Sequence, residues 1–193
     1  MGYEKGKLSR EQIVEAGASV LLAKGFSATT MADLTQAAQT SAGKLTHHFP
    51  TKASLLEAAF ERLMEQFELG PLRRLSDATA SPKDRIFGFL DGVYRLYAGQ
   101  AGFVGCPLGH AAGDLEGVPS PVKEQSLKYL ERVNALFERA FRDLNQSPSV
   151  ARTRAALFVN AWQGAVVIAR AGAGLHHVRK VFRFLKDSVE SGC

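Results

Sequence analysis

Cysteine is scarce: the chain of 193 residues has two, Cys106 and Cys193. A small secreted scaffold stapled by disulfides needs more of them at regular spacing, so that class is excluded. No apolar run is long enough to span a bilayer, because the most apolar stretch, 155–169, is interrupted by Asn160 and Gln163. The first twenty residues are charged and amphipathic and lack the apolar centre of a secretory leader. Gly6 breaks the N-terminal myristoylation pattern. Lys and Arg number 24 against 19 Asp and Glu, with both signs spread along the chain, so no basic tail exists. That mild excess permits an acidic partner without specifying one. No stretch alternates with period two, and neither a phosphate-cradling glycine loop nor a metal-ligand spacing occurs. These absences leave a soluble, cytoplasmic protein as the expectation, with no membrane partner, no cofactor and no metal.

What is present is helical periodicity, and the hydrophobic share of 46% is enough for a core. Ile13, Ala16, Gly17, Val20 and Leu21 repeat at the spacing of one buried helix face, predicting a helix over about 9–24 that stops at Gly25 with Phe26 as its apolar contact. Thr30-Met-Ala-Asp33 is a capping box for a short helix to about Ala38. Ser41 caps another to about His48, Pro50 ends it, and Thr51 caps a longer helix with Leu55, Leu56, Ala59, Phe60, Leu63, Met64 and Phe67 on one face. Ser81-Pro82 opens a helix through Tyr97, a glycine-rich break covers 99–105, and a short segment follows over 106–115. Further helices are predicted over about 121–144, 149–171 and 175–191. The fold class is all-α: an N-terminal helix-turn-helix domain joined to a larger helical bundle.

The stretch SAGKLTHHFPTK, residues 41–52, carries the most chemistry. Adjacent histidines on a helix point about 100° apart, whereas helical metal ligands sit three or four residues apart, so His47 and His48 are a poor metal pair. Two short helices joined by a tight turn and braced by a preceding helix form the helix-turn-helix plan. A DNA major groove admits one helix, whose N-terminal part meets the bases. Ser41, Ala42 and Gly43 are small enough for close approach, and Lys44, Thr46, His47 and His48 add polar groups. Lys44 suits either guanine or a phosphate. The capped starts at Thr30 and Thr51 offer N–H groups to phosphates, and Lys52 adds a positive charge.

Residues 13–56 resemble the DNA-binding domain of the TetR family of bacterial transcriptional repressors. The resemblance rests on KGFSATTMADLTQAA, on SAGKLTHHFPTKASLL, and on the ending Phe49-x-x-Lys52-x-x-Leu55-Leu56. This chain has Gln39 where the family usually has a turn glycine, and Lys44 and Thr46 where it usually has Thr and Tyr. The resemblance implies a DNA-binding domain over 1–51 and a ligand-binding and dimerisation domain over 52–193. It implies a non-enzymatic regulator, most often a repressor, that binds a palindromic double-stranded operator as a homodimer and is released by a small-molecule inducer. His47 and His48 would then close a recognition helix, facing DNA or the core behind it.

In the second domain, Phe87, Tyr94, Tyr97, Phe103, Phe158 and Trp162 are candidate walls of an inducer pocket, with Asn160, Gln163 and His110 as polar handles. Aromatics at helical spacing also suit a plain core. Cys106 opens a segment after the glycine-rich break, a placement that favours a reactive thiol, and His110 follows four residues later. The Gly105-Cys106 segment, with Ala161-Trp-Gln-Gly164, is similar to a subgroup of the family in which some members answer electrophiles or oxidants through that cysteine. A buried packing cysteine is the other reading. The nearly all-apolar 155–169 and the last helix suggest a self-association face through Ala161, Ala165, Ala169, Val178, Phe182 and Leu185. The rival classes are a cysteine-dependent enzyme built on Cys106 and His110, with Asp114 as the nearest acid, and a helical binding module without a DNA role.

Overall fold

The computed structural model describes residues 2–99, 105–113 and 118–192, with side chains described from residue 10 onward. Every regular element among them is helical. The elements are α1 (Gly2–Ala28), α2 (Met31–Ala37), α3 (Ala42–His48), α4 (Lys52–Phe67), α5 (Arg73–Ser76), α6 (Pro82–Ala98), α7 (Pro107–Gly113), α8 (Ser120–Asp143), α9 (Pro148–Ile168) and α10 (Leu175–Glu190). Wide π-type turns at Glu68–Leu72 and Ala169–Ala173 follow α4 and α9. No helix among the described residues is long and apolar enough to cross a membrane.

The chain forms two compact units, one of Met1–Glu65 with Pro107–Ser126 and one of Gln66–Cys106 with Leu127–Cys193. The first unit therefore extends past the boundary expected at residue 51. The reason is packing: Leu55 of α4 is buried with Ile13, Leu34, Leu45 and Phe49 in one cluster, and Phe26 meets Phe60 with ring centroids 6.0 Å apart. The helical run of α1 begins at Gly2 rather than near Ser9 and is broken at Gly25, where φ is +77°. A side chain at Gly25 would be strained on two counts, since an added Cβ would also come within 3.0 Å of His110 Nδ1 on α7.

The second unit is centred on aromatic rings. Phe89 meets Phe137 at 5.1 Å and Trp162 at 5.3 Å, both near-perpendicular, and Phe158 meets Phe141 at 5.0 Å. Edge-to-face pairs of this kind add to the stability gained from area burial. Pro71 lacks an N–H and cannot continue a regular α-helix, and the backbone widens into a π turn around it. An added Cβ at Gly92 would sit 3.1 Å from the Pro71 backbone, so a side chain there would require α6 or that turn to shift by a few tenths of an ångström. Two buried arginines are paired: Arg85 with Asp143, and Arg154 with the carbonyl of Ser188 at 2.9 Å and the face of Phe141.

Candidate nucleic-acid interface

The interface is built from α2 and α3. The Thr30 hydroxyl accepts the Asp33 N–H at 3.2 Å, while the Thr30 N–H donates to the Asp33 carboxylate at 2.9 Å, closing the expected capping box. The Thr30 hydroxyl also donates to that carboxylate at 2.8 Å. Lys24 adds an ion pair to Asp33 at 2.5 Å, tying the end of α1 to the start of α2. Lys24, then the Thr30 N–H and hydroxyl, hold the Asp33 carboxyl down at about 2. Thr30's own hydroxyl and N–H are both committed to Asp33, so the groups that this capped start would offer a phosphate are the N–H groups that follow it in α2.

Between α2 and α3 the chain turns through Gln39, whose φ is +48°. This is the left-handed conformation that glycine adopts without strain, at the position where glycine was noted as the usual residue. Ser41 then caps α3 by accepting the Lys44 N–H at 3.2 Å. Within α3 only Leu45 is buried; with Phe49 it anchors the helix to the core. Ser41, Ala42, Gly43, Lys44, Thr46 and His47 are exposed, and His48 is half-buried with its ring edge toward His47 at 5.4 Å. Seven of the nine residues expected at the interface thus lie on this one helix and its cap. Lys52 is differently placed from the expectation: its ammonium donates to the Thr29 carbonyl at 3.0 Å and is partly buried. It ties the start of α4 to the loop before α2, with two ammonium hydrogens left for other acceptors.

The expected sensor residues separate into three groups. Cys106, Tyr97, Trp162 and Gln163 come together: Trp162 Nε1 donates to Tyr97 Oη at 3.0 Å, and Gln163 Nε2 to Cys106 Sγ at 3.6 Å. Burial first, then the neighbouring Cys106, pushes the Tyr97 hydroxyl well above the usual tyrosine range. Cys106, Tyr97, Phe158 and Trp162 are all buried, and Phe158 packs against Phe137 and Phe141. Tyr94 lies apart, accepting from Arg179 Nε at 2.9 Å in a cleft of about 470 Å³ between α6 and α10 that Phe87 also lines. His110 belongs to the first unit, against Gly25. Phe103 and Asp114, and Cys193, lie outside the described residues.

The expected self-association residues need correcting. Ala165, Ala169, Val178, Phe182 and Leu185 are buried within their own chain, because α9 and α10 pack on each other and on the rest of the second unit through those positions. Ala161 alone is half-exposed. The exposed apolar residues are their neighbours: Leu157 at 59%, Val167 at 65% and Ile168 at 49% on α9, and Phe184 at 71% on α10. Positions 157, 161, 164 and 168 repeat at helical spacing and form one stripe, a signal that was legible in the sequence.

The comparisons with known proteins agree with the helix-turn-helix geometry. Residues 13–59 match the family model described as bacterial regulatory proteins, tetR family. The chain is 23% identical over 163 residues to the HTH-type transcriptional repressor DhaR of Mycobacterium sp. (strain GP1), covering 82% of this chain and 80% of that one. It is 37% identical over 83 residues to the HTH-type transcriptional regulator CymR of Pseudomonas putida, covering 43% and 40% of the two chains. A crystal structure of a TetR transcriptional regulator from Legionella pneumophila has the same fold, with a TM-score of 0.78 at 18% identity over 92% of this chain and 95% of that one. The segment 13–59 is thus a helix-turn-helix of the TetR family of bacterial regulatory proteins, and the all-α fold is shared over nearly the whole length with a solved TetR regulator.

Proposed function

We propose that this protein is a repressor that binds a palindromic operator as a homodimer and is released by a small hydrophobic or thiol-reactive inducer. The observation that carries the reading is α3: a seven-residue helix anchored to the core through Leu45 and the following Phe49, with Ala42, Gly43, Lys44, Thr46 and His47 all exposed. A helix presented this way fits the major groove. The stripe of exposed Leu157, Gly164 and Ile168 with half-exposed Ala161 on α9, and exposed Phe184 on α10, support two-fold pairing, and such a dimer presents two copies of α3 to a palindrome. Cys106 supports the thiol-reactive class of inducer. Its sulfur is held by Gln163 of α9 and abuts Tyr97 of α6, so an electrophile bonded to it would force those helices to repack.

Footprinting on the DNA upstream of its own gene tests the operator. The expected result is one protected segment with two-fold symmetry, resistant to excess unrelated DNA. Sedimentation should give twice the chain mass of 20.9 kDa. Treatment with an electron-poor alkene should release the wild type and leave Cys106→Ser bound; equal release of both would remove the thiol from the mechanism.

A further inference from the structure

The exposed side chain of Thr46 is not the general polar contact that its residue type suggests. A threonine hydroxyl has one hydrogen to donate. The Thr46 oxygen lies 3.0 Å from the Ala42 carbonyl and 3.1 Å from the Gly43 carbonyl, within its own helix. Whichever carbonyl takes the hydrogen, none is left for a phosphate oxygen or for an acceptor on a base edge. With the oxygen turned back onto the preceding turn, the γ-methyl is the part left to meet an incoming surface. Thr46 as a residue is exposed, and a Cβ placed at Gly43, one turn earlier, would meet nothing within 4 Å. Lys44 and His47 flank it with donors for bases and phosphates.

Among the groups that base pairs display in the major groove, the apolar one is the thymine C5-methyl. We infer that Thr46 is a specificity-determining residue that reads a thymine methyl through its own methyl group. The inference rests on the proposed reading of α3 as the base-reading helix and adds to it which base one position selects.

The test uses the full chain and a duplex selected by it from a random pool. Each thymine of one half-site is replaced in turn by deoxyuridine, which lacks only the methyl. For the wild type, one replacement should weaken binding about fourfold, the scale of one buried methyl group. Thr46→Val, which keeps the methyl and removes the hydroxyl, should retain that sensitivity. Thr46→Ser, which keeps the hydroxyl and removes the methyl, should lose it and bind both duplexes alike. Circular dichroism of each variant checks that α3 still folds. Indifference of the wild type to every deoxyuridine would overturn the inference, as would undiminished sensitivity in Thr46→Ser. Strong loss of binding in Thr46→Val without any methyl dependence would overturn it in favour of hydroxyl readout. Failure to enrich any sequence from the pool is a different result: it would remove the DNA-reading role of α3 itself.

Discussion

Asp33 shows how one side chain sets the geometry of the DNA-facing end. Its carboxylate accepts from Lys24 and from both the N–H and the hydroxyl of Thr30, and its acid strength is raised accordingly, to about 2. An unfolded aspartate titrates near 4. The sign follows from linkage: the folded value is the lower one, so the stabilisation is complete above about pH 4 and is lost as pH falls toward 2. Asp33→Asn should melt at a lower temperature than the wild type at pH 7, and the gap should narrow below pH 4; a gap independent of pH would contradict the account. Gln39 is the opposite case, a residue in a conformation that disfavours it. Gln39→Gly should raise the unfolding free energy by about 1 kcal/mol, measured by urea denaturation, because the left-handed strain is removed. A loss of stability would mean that the Gln39 side chain makes a compensating contact.

At the scale of elements, the short helices of the DNA-binding end were legible because their caps are local chemistry. Thr30 with Asp33, and Ser41 with the Lys44 N–H, need no tertiary context to be recognised. The sense of the long C-terminal helices was legible too, but not which faces they use. An alanine at 165 and an alanine at 161 look alike in sequence; only the packing of α9 on α10 puts the first inside and leaves the second at the edge. The same limit applied to the aromatics. Tyr94 and Tyr97 are three residues apart on α6, yet one lies in a charged cleft and the other is buried against Trp162. The exposed stripe proposed for pairing makes a sharp prediction. Leu157→Glu with Ile168→Glu should give a monomer by light scattering with unchanged helical content, because both side chains are exposed in the single chain. Val178→Glu should unfold the protein instead, since Val178 is fully buried.

For the whole molecule, the two compact units divide the proposed tasks: the first carries α3, the helix proposed to read the groove, and the second carries the aromatic core, Cys106 and the exposed residues of α9 and α10. A regulator made this way discriminates its operator by base contacts and holds it by phosphate contacts, and the second contribution falls with salt. The most direct measurement is therefore a titration of a labelled duplex from upstream of its own gene, with excess unrelated DNA, over a range of salt concentrations. Wild-type protein and the double variant Lys44→Ala, His47→Ala would be compared. The expected result is saturable, competitor-resistant binding by the wild type that weakens steadily with salt, and at least a tenfold loss in the double variant, on the order of one good base contact or more. Binding abolished by unrelated DNA, or equal affinity in the double variant, would contradict the claim that Ser41 to His48 reads the operator.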